Sequence, residues 1–167
     1  MDRWSPFYAA TAAAAAALLG LLFVAVSINA AAAIGPAEAS SRRLTEQAYQ
    51  NYLAVMLVSF MALFPGVTPT SFGGETVAAT ATWSLWVLIR FGQAVAQRVE
   101  RRSWIFALRR HLSSLIGFAM LLVAALRMAF DWGHDENWVA AAMLMLMFSA
   151  IAISWELLKR IAGGKAA

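Results

Sequence analysis

The sequence contains no cysteine and has few charged residues. Of its 167 residues, 13% are charged, compared with roughly 25% in a typical soluble domain. Without cysteine there are no disulfides, thiolate metal sites or cysteine nucleophiles. The low charge leaves too few polar side chains to cover a water-exposed surface, so the composition excludes a soluble globular protein.

Apolar residues are abundant: they make up 62% of the chain, and the mean hydropathy is +0.67. They fall into five segments, and a membrane-spanning helix needs about 20 apolar residues. The segments cover residues 7–34, 44–64, 74–93, 112–130 and 138–160. We therefore predict an all-α membrane protein, a single transmembrane domain over residues 1–167 that forms a five-helix bundle.

Proline and glycine mark several segment ends. Ser5-Pro6 favours a helix start, and Gly35-Pro36 favours a stop. The stretch Pro65–Gly74 is rich in Pro, Gly, Thr and Ser, which predicts a loop. In the second segment only Leu53–Phe64 is strongly apolar. A four-span alternative leaves that segment on the membrane surface.

Positive charge predicts the orientation. The connection between the third and fourth segments holds Arg98, Arg101, Arg102, Arg109 and Arg110. Short arginine-rich loops stay in the cytoplasm, so this connection is predicted inside. Parity then places Arg42-Arg43 and the C-terminal tail inside, and the Lys- and Arg-free stretch 131–137 outside. We expect the N-terminus outside, the C-terminus inside, and a bacterial inner-membrane location.

Catalytic motifs are missing from the sequence. It has no phosphate-binding loop, dinucleotide fingerprint, nucleophile elbow or His-Glu-x-x-His. The two histidines, His111 and His134, fall on opposite sides of the bilayer in the predicted topology, so they cannot share one haem or metal within a subunit. We expect no catalytic residue, no cofactor and no metal site, and an enzyme is the least favoured class.

Charged residues within the apolar segments suggest two contacts. Glu75 and Arg127 lie at similar predicted depth and could form an ion pair, although Arg127 could instead reach the outer surface. Near the inner side, Asn29, Arg90 and Glu156 could form a polar cluster. Such a cluster is either an ion or proton site or a structural salt bridge that holds the bundle together.

Hydroxyl residues repeat along the third segment. Thr76, Thr80 and Ser84 are spaced four residues apart, so they share one helix face. They could line a pore, or bond their own backbone carbonyls.

Small residues repeat along the first segment. Ala12, Ala16 and Gly20 form one helix-packing face, which lets helices approach closely in lipid. Packing within the chain and self-association between chains both remain open.

The stretch Gly20-Leu21-Leu22-Phe23-Val24-Ala25-Val26-Ser27, with the alanine-rich start and Trp155 in the last segment, resembles a group of small bacterial multi-pass membrane proteins without an assigned activity. This resemblance implies a bacterial membrane protein and carries no cofactor or binding residue with it.

Two functions are favoured. The first is a small homo-oligomeric channel or transporter, since five short helices scarcely enclose a path alone. The second is an accessory or assembly subunit of a larger membrane complex, without catalytic activity of its own. The expected partners are the lipid bilayer and either further copies of the chain or that complex. We expect no nucleic-acid partner, because the excess of positive charge is explained by cytoplasmic loops beside anionic lipid.

Overall fold

The computed structural model describes residues 2–28, 39–96, 101–133 and 135–164, without the side chains of residues 2, 39, 40, 86–88, 90–96, 101–111 and 160–164. This part of the chain is helical and contains no strand, which confirms the all-α prediction. A 3-10 turn at Asp2–Trp4 precedes five α-helices. They are α1 (Ser5–Ile28), α2 (Ala39–Ala62), α3 (Pro69–Ala96), α4 (Arg101–Ala129) and α5 (Glu136–Gly164).

Helix α3 begins with a reciprocal capping arrangement. The backbone N–H of Ser71 donates to Oγ1 of Thr68 (3.1 Å), and the backbone N–H of Thr68 donates to Oγ of Ser71 (3.0 Å). Pro69 occupies the first helical position, where a missing N–H costs nothing. These contacts extend the helix back to Pro69, so the loop predicted at Pro65–Gly74 is shorter than expected.

A Schellman motif ends α4. The N–H of Trp132 donates to the carbonyl of Arg127 (2.8 Å), and that of Asp131 donates to the carbonyl of Met128 (3.2 Å). Asp131 takes a φ of 56°, the left-handed conformation that this motif requires. The chain then reverses into α5, where the N–H groups of Trp138 and Val139 donate to the carbonyl of Asp135.

Two other helix starts also differ from their predicted positions. Helix α2 begins at Ala39 rather than 44, and α4 begins at Arg101 rather than 112. Hydropathy marks only the apolar part of a helix, whereas arginine and alanine favour helix well beyond it. Residues 29–34 of the first predicted helix lie outside the described residues.

Neighbouring helices run antiparallel, and the polar helix α2 is buried on one side, with Tyr49 and Phe60 exposed on the other. It packs against α1 and α5, α5 packs against α4, and α4 packs against α3. Tyr8 of α1 also meets Phe72 of α3, with ring centroids 6.0 Å apart. We call the end that holds the starts of α1, α3 and α5 the N-end, and the opposite end the C-end.

Two apolar cores follow from this packing. The core towards the N-end includes Val55, Phe118, Leu121, Met143 and Leu146. The core towards the C-end joins α1, α2 and α5. Its buried members are Leu22, Val26, Leu44, Ala48, Tyr52, Ala150, Ile153 and Leu157. Both halves of α2 are therefore buried against its neighbours.

Three helical stretches are long and apolar enough to cross a membrane: Ser5–Ile28, Leu112–Ala129 and Glu136–Lys159. Their outward faces carry large apolar side chains, including Phe23 (69% exposed) and Phe148 (70% exposed). A water-soluble protein of this size rarely exposes so much apolar surface. Composition and structure thus agree on a membrane protein.

Candidate functional site

Five polar side chains are hydrogen-bonded to one another where α2, α4 and α5 meet. We call them the amide–serine cluster. Its members are Gln47, Asn51, Ser113, Ser114 and Ser149. Asn51, Ser114 and Ser149 are buried, with 1%, 2% and 6% of their surface exposed. In an apolar surrounding, such groups are stable only when they are bonded to each other.

Ser114 is the centre of the cluster. Its Oγ accepts a hydrogen bond from Nδ2 of Asn51 (2.8 Å) and another from Nε2 of Gln47 (3.0 Å). These two bonds occupy both lone pairs of the hydroxyl. The Ser114 hydroxyl must therefore donate its own proton to Oγ of Ser149, which lies 3.0 Å away. Ser149 in turn lies 2.9 Å from the hydroxyl of Ser113.

This arrangement uses the full hydrogen-bonding capacity of the Ser114 hydroxyl. The hydroxyl therefore has no hydrogen bond left for a solute. Ser114 instead has a structural role, because it connects α4 to α2 and α5 by hydrogen bonds. The cluster was not predicted from the sequence, although a signal was present: Gln47 and Asn51 share a helix face at four-residue spacing. Which partners they meet depends on the packing.

A smaller polar contact joins α1 and α2. The hydroxyls of Thr11 and Ser59 lie 3.0 Å apart in the interior, and Thr11 also donates to the backbone carbonyls of Phe7 and Tyr8. This hydrogen bond holds α1 and α2 together, as the amide–serine cluster does for α2, α4 and α5.

The predicted hydroxyl row on α3 is mostly buried. Thr76 and Thr80 are 0% and 1% exposed, and Ser84 is half-buried. Within the part of the chain that the structure describes, the Thr76 and Thr80 hydroxyls have no hydrogen-bond partner. Their role as pore-lining residues stays a prediction. Because they are buried, such a pore would run through the interior of a single chain.

The opposite face of α3 is exposed and polar towards the N-end. We call it the α3 strip. Its members are Thr70, Ser71, Gly74, Glu75, Ala78, Ala81 and Thr82. All are small or hydrophilic, whereas Leu85 and Ile89 continue the same face with apolar side chains. The Thr82 hydroxyl donates to the carbonyl of Ala78 (2.9 Å). No member of the strip is a large apolar side chain that would contact acyl chains.

Glu75 is the one carboxylate on this strip. Among the described residues, salt bridges join Arg42 to Glu46, Arg127 to Asp135, and Glu156 to Lys159, and none of these involves Glu75. The predicted partner of Glu75, Arg127, is instead paired with Asp135 across the α4–α5 turn. The membrane depth predicted from the sequence could not reveal this pairing, because it depends on the α4–α5 turn, which brings Asp135 back beside Arg127.

The predicted inner cluster falls largely outside the described residues. Asn29 is outside them, and so is the side chain of Arg90. Glu156 lies in α5 and pairs with Lys159 one turn away (2.7 Å). The cluster of these three residues therefore stays a prediction.

The predicted packing face of α1 is divided. Ala12 is buried (5% exposed), whereas Ala16 and Gly20 are exposed. A side chain added at Gly20 would meet nothing within 4 Å. The rest of this outward face is also small from Ala9 to Gly20. Its other members are Ala9, Ala10, Ala13, Ala14 and Ala17.

Among the described residues, no group of three or more His, Asp or Glu side chains could hold a metal ion. His134 lies outside these residues. Comparisons with protein-family models, curated proteins and solved structures found no match to the chain.

Proposed function

We propose that the chain is a five-span protein of a bacterial inner membrane, with its N-terminus outside and its C-terminus inside, whose copies assemble into a small channel or transporter. The α3 strip carries this proposal. It is a polar, small-residue surface on the outside of a bundle whose other exposed faces are largely apolar.

The packing of α2 and α3 supports five spans. Helix α2 is buried along both halves against α1 and α5, which are long and apolar enough to cross a membrane. Helix α3 packs along α4, which has the same property. Neighbours packed side by side occupy the same layer of the bilayer. The polar groups of α2 are compatible with that layer because they are hydrogen-bonded inside the bundle.

The charges at the two ends support the orientation. Arg42, Arg43 and Lys159 lie at the C-end, whereas in the described residues of the N-end Arg3 and Arg127 are outnumbered by Asp131, Asp135 and Glu136. Basic ends face the cytoplasm.

The α3 strip supports assembly. A carboxylate in a membrane helix faces water or protein rather than acyl chains. Exposing it to acyl chains costs about 2.5 kcal/mol or more. Gly74, Ala78 and Ala81 also allow another helix to approach closely. Symmetric copies of one chain are the commonest way to cover such a surface.

The interior supports a path between copies rather than through one. Phe118, Leu121 and Leu146 are nearly fully buried and fill the centre of the bundle. A polar path along the α3 strip, lined by Glu75 and Thr82 and followed by Leu85, requires walls from more than one chain.

We expect single cysteines at Arg42 and Lys159 to be labelled only from the cytoplasmic side, and those at Thr70 and Asn137 only from outside. All four positions are exposed, and the natural chain contributes no background thiol. The measurement is reaction with a membrane-impermeant maleimide in intact cells and in inverted vesicles. If Arg42 and Thr70 react from the same side, α2 does not span.

We expect an Ala78→Cys variant to form an intermolecular disulfide in membranes, because the α3 strip faces a second copy. An Ile151→Cys variant, exposed on the apolar face of α5, is the matched control and is expected to remain monomeric on a non-reducing gel. A monomer at both positions, in detergent and in membranes, would contradict the homo-oligomer.

The accessory-subunit alternative uses the same observation differently. The α3 strip would then be covered by another membrane protein. A chain that is monomeric when purified alone, but whose Ala78→Cys variant cross-links to one larger partner of constant mass, would establish it.

A further inference from the structure

We infer that Glu75 makes the proposed path selective for small inorganic cations. This rests on the proposed function, because it takes the α3 strip as the wall of the path. It goes further by naming the residue that discriminates and the charge class that passes.

The first argument is the lack of compensation around Glu75. The side chain is exposed, and no salt bridge among the described residues neutralises it. Arg127, the basic residue on the neighbouring helix at this end, is occupied by Asp135. The other members of the α3 strip are uncharged. The strip therefore keeps a net negative charge.

The second argument is position. Glu75 lies in the second turn of α3, near the entrance of the proposed path from the N-end. Ser71 precedes it by one turn, and Thr82 follows it by two turns on the same face, so oxygen atoms lie before and after the carboxylate. Beyond them, Leu85 and Ile89 make the face apolar.

The third argument is repetition. In a symmetric assembly, each copy contributes one Glu75 at the same depth. A ring of carboxylates at a narrow entrance attracts cations and repels anions, as in cation channels generally. Negative charge focused in a cleft raises the local concentration of counter-ions by about 10-fold or more.

The experiment is a reversal-potential measurement on the purified full-length protein in liposomes of neutral phosphatidylcholine under a KCl gradient. The wild type is expected to be K⁺-selective. Glu75→Gln is expected to lower the K⁺/Cl⁻ permeability ratio by about 10-fold, and Glu75→Asp to retain it. Glu136→Gln is the matched control: it removes a carboxylate at the same end of the bundle but off the α3 strip, and is expected to leave the ratio unchanged.

The outcomes separate the two claims. A wild type without conductance overturns the proposed function and this inference with it. Conductance whose selectivity is the same in the wild type and Glu75→Gln overturns the inference alone. An equal loss in Glu75→Gln and Glu136→Gln also overturns it, because general surface charge would then be responsible.

A second variant avoids dependence on folding. Glu75→Cys is assembled first and modified afterwards with a methanethiosulfonate reagent. A sulfonate-bearing reagent is expected to restore K⁺ selectivity, and a trimethylammonium-bearing reagent to shift it towards Cl⁻. The same response to both reagents would contradict a charge-based mechanism at this position.

Discussion

Replacing Gly73 with valine is expected to separate α3 from α4 and destabilise the protein by about 3 kcal/mol, the upper end of the usual cost of overpacking. A Cβ at Gly73 would lie 2.8 Å from the carbonyl oxygen of Ala125 and 2.9 Å from the backbone carbon of Met128, and would also collide with the backbone N of Ala129. These are backbone atoms of a packed helix and cannot rotate away. Only a shift of one whole helix relieves the clash.

The neighbouring glycine is a matched control for Gly73→Val. A side chain at Gly74 would meet nothing within 4 Å in its own chain, so Gly74→Val is expected to change the stability of a single chain by less than about 0.5 kcal/mol, with a small gain from helix propensity. Unfolding in mixed detergent micelles, followed by circular dichroism, measures both variants. If Gly73→Val and Gly74→Val lowered the stability to a similar extent, the close approach of α3 and α4 would not be the cause of the destabilisation.

Replacing Ser114 with alanine is expected to destabilise the protein by about 2–4 kcal/mol. The change removes the acceptor for the amides of Asn51 and Gln47 and the donor to Ser149. Leaving a buried amide without a partner costs about 1–3 kcal/mol, although hydrogen bonds between membrane helices are often at the lower end. The void of one oxygen atom contributes little beside this loss.

The matched control for Ser114→Ala is Ser27→Ala. The Ser27 hydroxyl is exposed and donates to the carbonyl of Phe23 in its own helix (2.8 Å), so its loss is expected to cost less than about 0.5 kcal/mol. A double-mutant cycle with Asn51→Leu tests the mechanism. Asn51→Leu is expected to cost about 1 kcal/mol less in the Ser114→Ala background, because the partner is already gone. Additive effects would show that the two side chains do not stabilise each other.

Together these variants distinguish two ways of holding the bundle. The Gly73→Val variant tests how much the close backbone approach of α3 and α4 contributes to stability. The Ser114→Ala variant tests the contribution of the polar contacts among α2, α4 and α5. The α3 strip lies on neither interface. Variants at Glu75 and Ala78 can therefore test the proposed assembly and selectivity without removing the contacts that stabilise one chain.

The helices and their membrane character were predictable from local features. Apolar length, the near absence of charge and the stop signals at proline and glycine all act within one segment, and the five helices lie near the predicted positions. The starts at Pro69 and Arg101 were missed because a helix continues through polar residues when caps and propensity allow. Hydropathy does not detect this.

The candidate site was predictable only in part. Glu75 was recognised as unusual from its charge, but its predicted partner Arg127 turned out to be paired with Asp135. The hydroxyls of Thr76 and Thr80 were expected along a wet path, whereas the structure buries them and exposes Thr82 on the other face. A helix has a defined spacing, but its rotation about its own axis depends on its neighbours.

The sequence by itself determined that the chain is helical and suited to a membrane, because backbone hydrogen bonding in lipid and the length of apolar runs are local constraints. The tertiary structure decided which face of the polar helix α2 is buried. Helix α2, the least apolar of the five by sequence, is buried because Gln47 and Asn51 find Ser114 there. Tertiary packing also left Glu75 on an outward face. Both outcomes depend on residues more than 35 positions apart in the chain, which no local pattern specifies.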